Sequence, residues 1–292
     1  RYAHQLIDKY QKSDVSICVV VKESKDARLL KNELSLYIKS SEIKYFPENE
    51  ILPYDHFSAP DNILIDRFSI LNYLNNNKDI VITTIKSLFE IYPTKDFFQS
   101  KEVFEIGDSL SLSKLENILI SLNYEKVNRI DGINQYSLRG GIIDIYTPIY
   151  KNPLRVEIFD DVVESIRLFD LETQSSIEKT TNFRLSNSAL YTFDDHSLKI
   201  FRDNWREYFQ QHDERNCEIF QKLNTERKAE GSDIYTPFFF TKTSNFFELF
   251  NEYSFITFEN LDKELDSHYQ YIQQRFDDEN IDSQTPLILP KD

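Results

Sequence analysis

The sequence predicts an α/β protein, a parallel-sheet domain with an α+β module placed within it or after it. Three observations predict this. Residues 1 to about 100 alternate helical stretches with short apolar strands, the pattern of a parallel sheet covered by helices. Residues from about 102 to 178 change to successive strands of period two. After about 180 the helical pattern returns. The 292 residues suffice for two domains or for one domain with an insertion.

In order, the first part reads as a helix over 2–10, a strand over 15–21 and an amphipathic helix over 25–38. A short strand at 44–46, a helix over 66–74 and a buried strand over 79–84 follow. The middle opens with a helix over 113–122. In the strand that follows later, Leu154, Val156 and Ile158 alternate with Arg155, Glu157 and Phe159, which gives one buried face and one polar face carrying a phenylalanine. Two prolines and an asparagine in residues 147–153 mark a turn back to a strand over 142–146. With that turn centred near Ile149 and Tyr150, Asp144 falls opposite Arg155 and Arg139 comes close to Phe159. Opposite charges so placed contribute about 0.2–1 kcal/mol. Gly140 and Gly141 read as a bulge that shifts this register by one. Asp160 and Asp161 read as a turn into a third strand, 162–169. Helices over 197–211 and 213–228, the segment 235–241 and an apolar strand over 253–258 complete the chain.

Two readings of the middle sheet stand side by side. In one, the polar face is simply solvated and Phe159 bends into the core at its strand end. In the other, the arginines and Phe159 form a protein-binding face, since arginine and aromatic residues are enriched among interface anchors.

Composition narrows the partners. A net charge of −15 argues against broad, sequence-independent binding to nucleic acid, which needs clustered lysine and arginine. An acidic chain suits protein partners. With 23 Phe and 17 Tyr the cores can be large. Cys18 sits in the apolar run 17–21, and with Cys217 as the other of two cysteines the usage fits a reducing cytoplasm. No apolar run approaches the roughly 18–20 residues of a membrane span, and no signal peptide opens the chain. The chain starts at Arg1 and lacks methionine, which is expected either of a piece of a longer protein or of one whose methionines are modified residues.

Catalytic patterns are missing from the sequence. None of the five glycines (Gly107, Gly132, Gly140, Gly141, Gly231) fits a phosphate-cradling GxxxxGK[ST] loop. The last apolar strand runs into Glu259-Asn260-Leu261-Asp262, where a nucleotide-hydrolysing domain would hold an Asp-Glu pair, and that pair is absent. The histidines His4, His56, His196, His212 and His268 lack metal-ligand spacing, and His56 reads as a structural loop residue. No serine elbow or Cys/His nucleophile pair occurs. The acidic runs at 160–161 and 277–279 read as a solvated turn and helix end.

Several motifs together resemble a known family. Phe46-Pro47-Glu48 with Leu52-Pro53-Tyr54-Asp55, residues 82–88 (ITTIKSL), Arg139-Gly140-Gly141-Ile142-Ile143-Asp144-Ile145 and Arg155-Val156-Glu157-Ile158-Phe159-Asp160 are similar to the amino-terminal, UvrB-homology region of the Mfd family of bacterial transcription-repair coupling factors. Pro237-Phe238-Phe239 and residues 285–290 follow in the same order. The resemblance implies a degenerate RecA-like domain, 1–101 and 180–292, split by an inserted UvrA-binding α+β module, 102–179. It implies that Arg139, Arg155 and Phe159 carry the contact to the excision-repair protein UvrA, by imitation of UvrB. The implied role is a non-catalytic, cytoplasmic adaptor linking stalled RNA polymerase to repair. No cofactor is expected in this chain: ATP, RNA polymerase and DNA contacts belong to the rest of the full-length protein. Two alternatives are a UvrB-like, ATP-dependent DNA damage verifier truncated at its start and an autoinhibitory module of the full-length factor. The chain departs from UvrB in having room, between Tyr54 and Asp79, for only a short loop and one helix instead of a long damage-probing hairpin.

Overall fold

In the computed structural model, which describes residues 2–55, 57–74, 78–99, 102–187, 189–210, 213–225, 231, 233–257, 260–279 and 286–288, the first hundred residues build most of a parallel sheet. They form α1 (Tyr2–Lys12), β1 (Ile17–Val21), α2 (Ser24–Leu34), β2 (Ile43–Tyr45), α3 (Asp61–Leu71), β3 (Ile80–Thr84), β4 (Ile91–Pro93) and α4 (Lys95–Phe98). The middle supplies β5 (Glu102–Glu105), α5 (Leu112–Ser121), β6 (Glu125–Lys126), β7 (Gln135–Arg139), β8 (Ile142–Tyr146), β9 (Leu154–Phe159), β10 (Val162–Phe169), β11 (Ser176–Thr180) and β12 (Asn182–Leu185). Then come α6 (Asp195–Tyr208), α7 (Glu218–Thr225), β13 (Thr243–Asn245), α8 (Phe246–Leu249), β14 (Ser254–Ile256) and α9 (Asp262–Glu279).

The parallel sheet has the order β14–β1–β3–β2. Three of its strands precede the middle unit and β14 follows it, so connectivity makes the middle unit an insertion. The central strands β1 and β3 lack alternation because both of their faces are buried. Ile17, Val19, Ile80 and Ile82 pack under Leu6 and Ile7 of α1 and Leu30 and Leu34 of α2. Cys18 and Val81 face Phe46, Phe68, Tyr92, Phe246 and Phe250 on the other side.

The inserted unit is a six-stranded sheet of order β11–β10–β9–β8–β7–β6. Its inner face, with Tyr136, Ile143, Ile145, Leu154, Val156, Ile158, Val163 and Ile166, closes on Leu115 and Leu119 of α5. β5 pairs antiparallel with β12, and Phe104 stacks on Phe183 at 5.0 Å. The chain therefore enters and leaves the insertion side by side. A further core is almost wholly aromatic: Phe201 and Trp205 of α6, Phe220 of α7, and Tyr235, Phe238 and Phe239 of a 3₁₀ segment (Asp233–Phe239).

Several helix limits differ from the sequence reading. The helix expected at 66–74 begins at Asp61, directly after Pro60, and ends at Leu71. The one expected over 25–38 ends at Leu34, and Ile38 is buried from a turn instead. The one expected over 213–228 is broken. Asp213 caps a 3₁₀ turn (Glu214–Asn216) by accepting the Arg215 N–H, and α7 starts anew at Glu218. Residues Arg1, His56, Gln211, His212, 226–228, Phe258, Glu259, Thr285, Leu289 and Pro290, which figured in that reading, lie outside the described residues.

α9 crosses the carboxyl ends of the parallel strands. Glu264 pairs with Lys22 beyond β1 at 3.0 Å, and His268 meets the Phe89 ring beyond β3 at 5.1 Å. Arg275 pairs with Asp55 in the loop beyond β2 at 2.9 Å, where Phe276 also packs on Tyr54. No α9 residue is fully buried. Among the described residues, no helix is long and apolar enough to cross a membrane, and no group of three His, Cys, Asp or Glu side chains converges as a metal site.

Candidate functional site

The site is built on the outer face of the inserted sheet, opposite α5. Two tight turns set it up. Gly140 and Gly141 are not a bulge. They are the two-residue turn of the β7–β8 hairpin, whose strands pair Arg139 with Ile142. Gly140 has φ +59, the positive value a two-residue hairpin loop requires at its first turn position. Asp160 and Asp161, at φ 48 and 60, turn β9 into β10 with Phe159 paired to Val162. Both central residues at positive φ match a type I′ hairpin turn, and Asp is among the residues that tolerate it.

Strand pairing then decides who shares the face. Ser137 pairs with Asp144, and Asp144 pairs with Arg155, the second pairing being the one the sequence reading expects. Arg155 in turn faces Arg167 on β10. One step along, Arg139 pairs with Ile142 and Ile142 with Glu157. Phe159, two residues past Glu157, lies on the same face at the end of its strand. Arg139 and Phe159, which the turn at Ile149 and Tyr150 led the sequence reading to bring close, are not strand partners, because β8 stands between β7 and β9.

The three side chains differ sharply in freedom. Phe159 is 64% exposed, too open for a core residue bending inward. Arg139 is exposed, and its Nη2 donates to the Asn128 carbonyl at 2.8 Å. Arg155 is held: Nε donates to Asp144 Oδ1 at 2.6 Å, and Nη2 to Asp144 Oδ2 at 2.8 Å and to Gln174 Oε1 at 2.9 Å. Its guanidinium also lies 4.3 Å from the centre of the Phe169 ring. The hydrogen bonds to Asp144 hold the Arg155 pKa above its ordinary value, against its partial burial. Beside it, Glu157 accepts from Ser165 at 2.6 Å and from Arg167. The Ser165 bond first, and the Arg167 charge after it, hold the Glu157 carboxyl below its usual range.

Arg139 and Arg155 also line a cavity of about 160 Å³ with Ser137, Ile142 and Asp144. Phe159 stands outside it. The face thus offers a small polar depression, a free cation and a free aromatic ring. Arginine and exposed aromatic side chains are the kinds of group that anchor protein interfaces. The sequence reading identified the Asp144–Arg155 pairing but missed Gln174, which reaches the site from the β10–β11 loop. No periodic signal marks a single loop glutamine.

Comparison with known proteins finds matches to the inserted unit and to the chain as a whole. Residues 103–191 match the UvrB interaction domain family. Over 94% of its length the chain is 28% identical to a transcription-repair-coupling factor of Haemophilus influenzae, covering 24% of that protein. The corresponding protein of Rickettsia bellii is 27% identical over 95% of the chain, and that of Escherichia coli 24% over 94%. The chain spans about a quarter of the length of these curated relatives.

Proposed function

We propose, taking as premise that the chain is a relative of the transcription-repair-coupling factors and carries a UvrB interaction domain, that it is an adaptor that recruits UvrA. In this reading the inserted module, 102–179 in the sequence division, presents to UvrA the face that UvrB would present. Residues 1–101 and 180–292 form a degenerate RecA-like support. The observation that carries the reading is a coincidence of place: the stretch matched to the UvrB interaction domain contains the sheet whose outer face leaves Arg139 and Phe159 open to solvent.

The physical logic is that of an anchored interface. Phe159 supplies apolar area that gains when water is excluded, and Arg139 supplies a planar donor fork for a partner carboxylate. Truncating such anchors typically costs about 2 kcal/mol or more each. Support for a non-catalytic role comes from α9, which lies over the carboxyl ends of the strands, where open α/β folds take ligands. The motor and the contacts to RNA polymerase and DNA belong, in this reading, to the rest of the full-length factor.

Titration calorimetry of this chain against UvrA tests it, with Arg139→Ala/Phe159→Ala as the paired variant. Micromolar or tighter binding by the wild type, weakened several hundred-fold or more in the variant, is the expected result. Equal affinity of the two, or no binding by a folded wild type, overturns it.

A further inference from the structure

Arg155 and Arg139 look equivalent in sequence, yet the structure treats their charges differently. The Asp144 carboxylate under Arg155 is buried, with 9% of its side chain exposed, and meets the guanidinium through two parallel bonds. Such a bidentate pair spends the cation's charge within the chain and fixes the plane of the fork. Gln174 takes a further bond from Nη2 at 2.9 Å. The loop that carries Gln174 is built to hold it there. Asp170 Oδ1 accepts from the Thr173 N–H at 2.7 Å and the Thr173 hydroxyl at 2.9 Å. The Gln174 N–H returns to the Asp170 carbonyl at 2.8 Å, and its side-chain Nε2 to the Leu171 carbonyl at 2.8 Å. Gln174 itself sits at φ +60, a conformation that costs a non-glycine residue energy and persists where surrounding bonds over-determine it.

The neighbours fit the same logic. Arg167 stands directly across from Arg155, and like charges so placed repel. Each is neutralised by its own acid, Arg167 by Glu157 and Arg155 by Asp144. Arg139 has no acidic partner among the described residues, and its one hydrogen bond is to a neutral carbonyl.

From this we infer that Asp144 and Gln174 are positioning residues of the docking face. They consume the charge of Arg155 and hold its guanidinium as a fixed surface beside the cavity. Of the two arginines, Arg139 and not Arg155 therefore steers an approaching acidic partner, while Arg155 contributes shape and its unspent Nη1 edge. The inference rests on the docking reading above and specifies which arginine does what within it.

The division of labour is readable in kinetics. A charge open to solvent sets the association rate and its salt dependence, whereas a braced group sets dissociation. The test is stopped-flow or surface-based kinetics of this chain with UvrA over a salt series. Arg139→Gln is expected to flatten the salt dependence of association. The net-neutral double change Asp144→Asn/Arg155→Gln is expected to leave that dependence at the wild-type value. Asp144→Asn alone, which releases the Arg155 charge, is expected to steepen it. Gln174→Ala, a loop change that spares the core, is expected to speed dissociation about two- to tenfold at unchanged salt dependence. A double variant as flat as Arg139→Gln, or a Gln174→Ala variant that dissociates like the wild type, overturns the inference and leaves the docking reading standing. No binding by the folded wild type overturns both.

Discussion

The carbonyl of Gly141 accepts the Ile158 N–H at 2.8 Å, and a β-carbon on Gly141 would stand 2.7 Å from the Ile158 carbonyl oxygen. The obstacle is backbone in the middle of a sheet, which cannot swing aside. Gly141→Ala is therefore expected to push β8 from β9 and to destabilise the chain by about 3 kcal/mol. At Gly140 a β-carbon meets nothing within 4 Å, and the cost is that of φ +59 alone, about 1–2 kcal/mol. Urea denaturation of the two variants should rank Gly141→Ala as the more damaging. An equal or reversed ranking would show that close approach to Ile158 is not what the second glycine serves.

Phe159 separates stability from recognition. Its ring is mostly in water already, so Phe159→Ser should change unfolding free energy by no more than about 0.5 kcal/mol. UvrA affinity should fall about thirtyfold, the equivalent of about 2 kcal/mol. Thermal melts and calorimetric titration of the same sample check both halves.

Arg67 makes the opposite case. It is 3% exposed and donates to the Pro47 carbonyl at 2.8 Å, Asn49 at 2.7 Å and Glu90 at 2.6 Å, with its guanidinium 4.9 Å from the Phe46 ring centre. Arg67→Met strands these acceptors and should cost about 3 kcal/mol by denaturant unfolding, at the low end for a broken buried pair because Glu90 keeps some solvent. Glu90→Gln keeps an acceptor and should cost less.

The docking of α9 should depend on pH through His268. Burial, and after it the nearby Lys86, push the His268 pKa below its ordinary 6.5, while Glu48 pulls the other way. The ring packs between Phe89 and Tyr271. A folded value below the unfolded one means the unfolded state binds the proton more readily. Stability is then present above pH 6.5 and is lost as pH falls through the folded value. Glu48 stays charged in that window. Burial raises its pKa, but the bonds from Thr84, Lys86 and Ser24 prevail and lower it. Hydrogen-exchange protection in α9 should therefore fall on mild acidification, and His268→Phe should flatten the response. Protection that falls equally in the variant would place the titrating group elsewhere.

Much of this was legible because period-two and apolar-run signals survive in single sequences. The strands read at 15–21 and 79–84, observed at 17–21 and 80–84, come from apolar runs, and those at 142–146, 154–159 and 162–169, with the Asp144–Arg155 register, from alternation and turn residues. The Gly140-Gly141 turn was misread because glycine permits both a bulge and a hairpin, and only the partner strand distinguishes them. The insertion was ambiguous because three-residue β14 joins β1 across more than two hundred residues, a contact no local pattern encodes. At the site, exposure separates Arg139 from Arg155, and exposure depends on Asp144 and Gln174, which are far apart in sequence. The broken helix after residue 213 turned on a single capping aspartate, which local periodicity does not weigh.

β5 and β12 run as hydrogen-bonded neighbours, so the two ends of the insertion stand about 4.8 Å apart. A segment whose ends meet so closely can be cut from one host and spliced into a surface loop of another without stretching either. Heredity can then act on the docking sheet and on its carrier separately. A change in the flanking halves can then leave the fold of the sheet untouched.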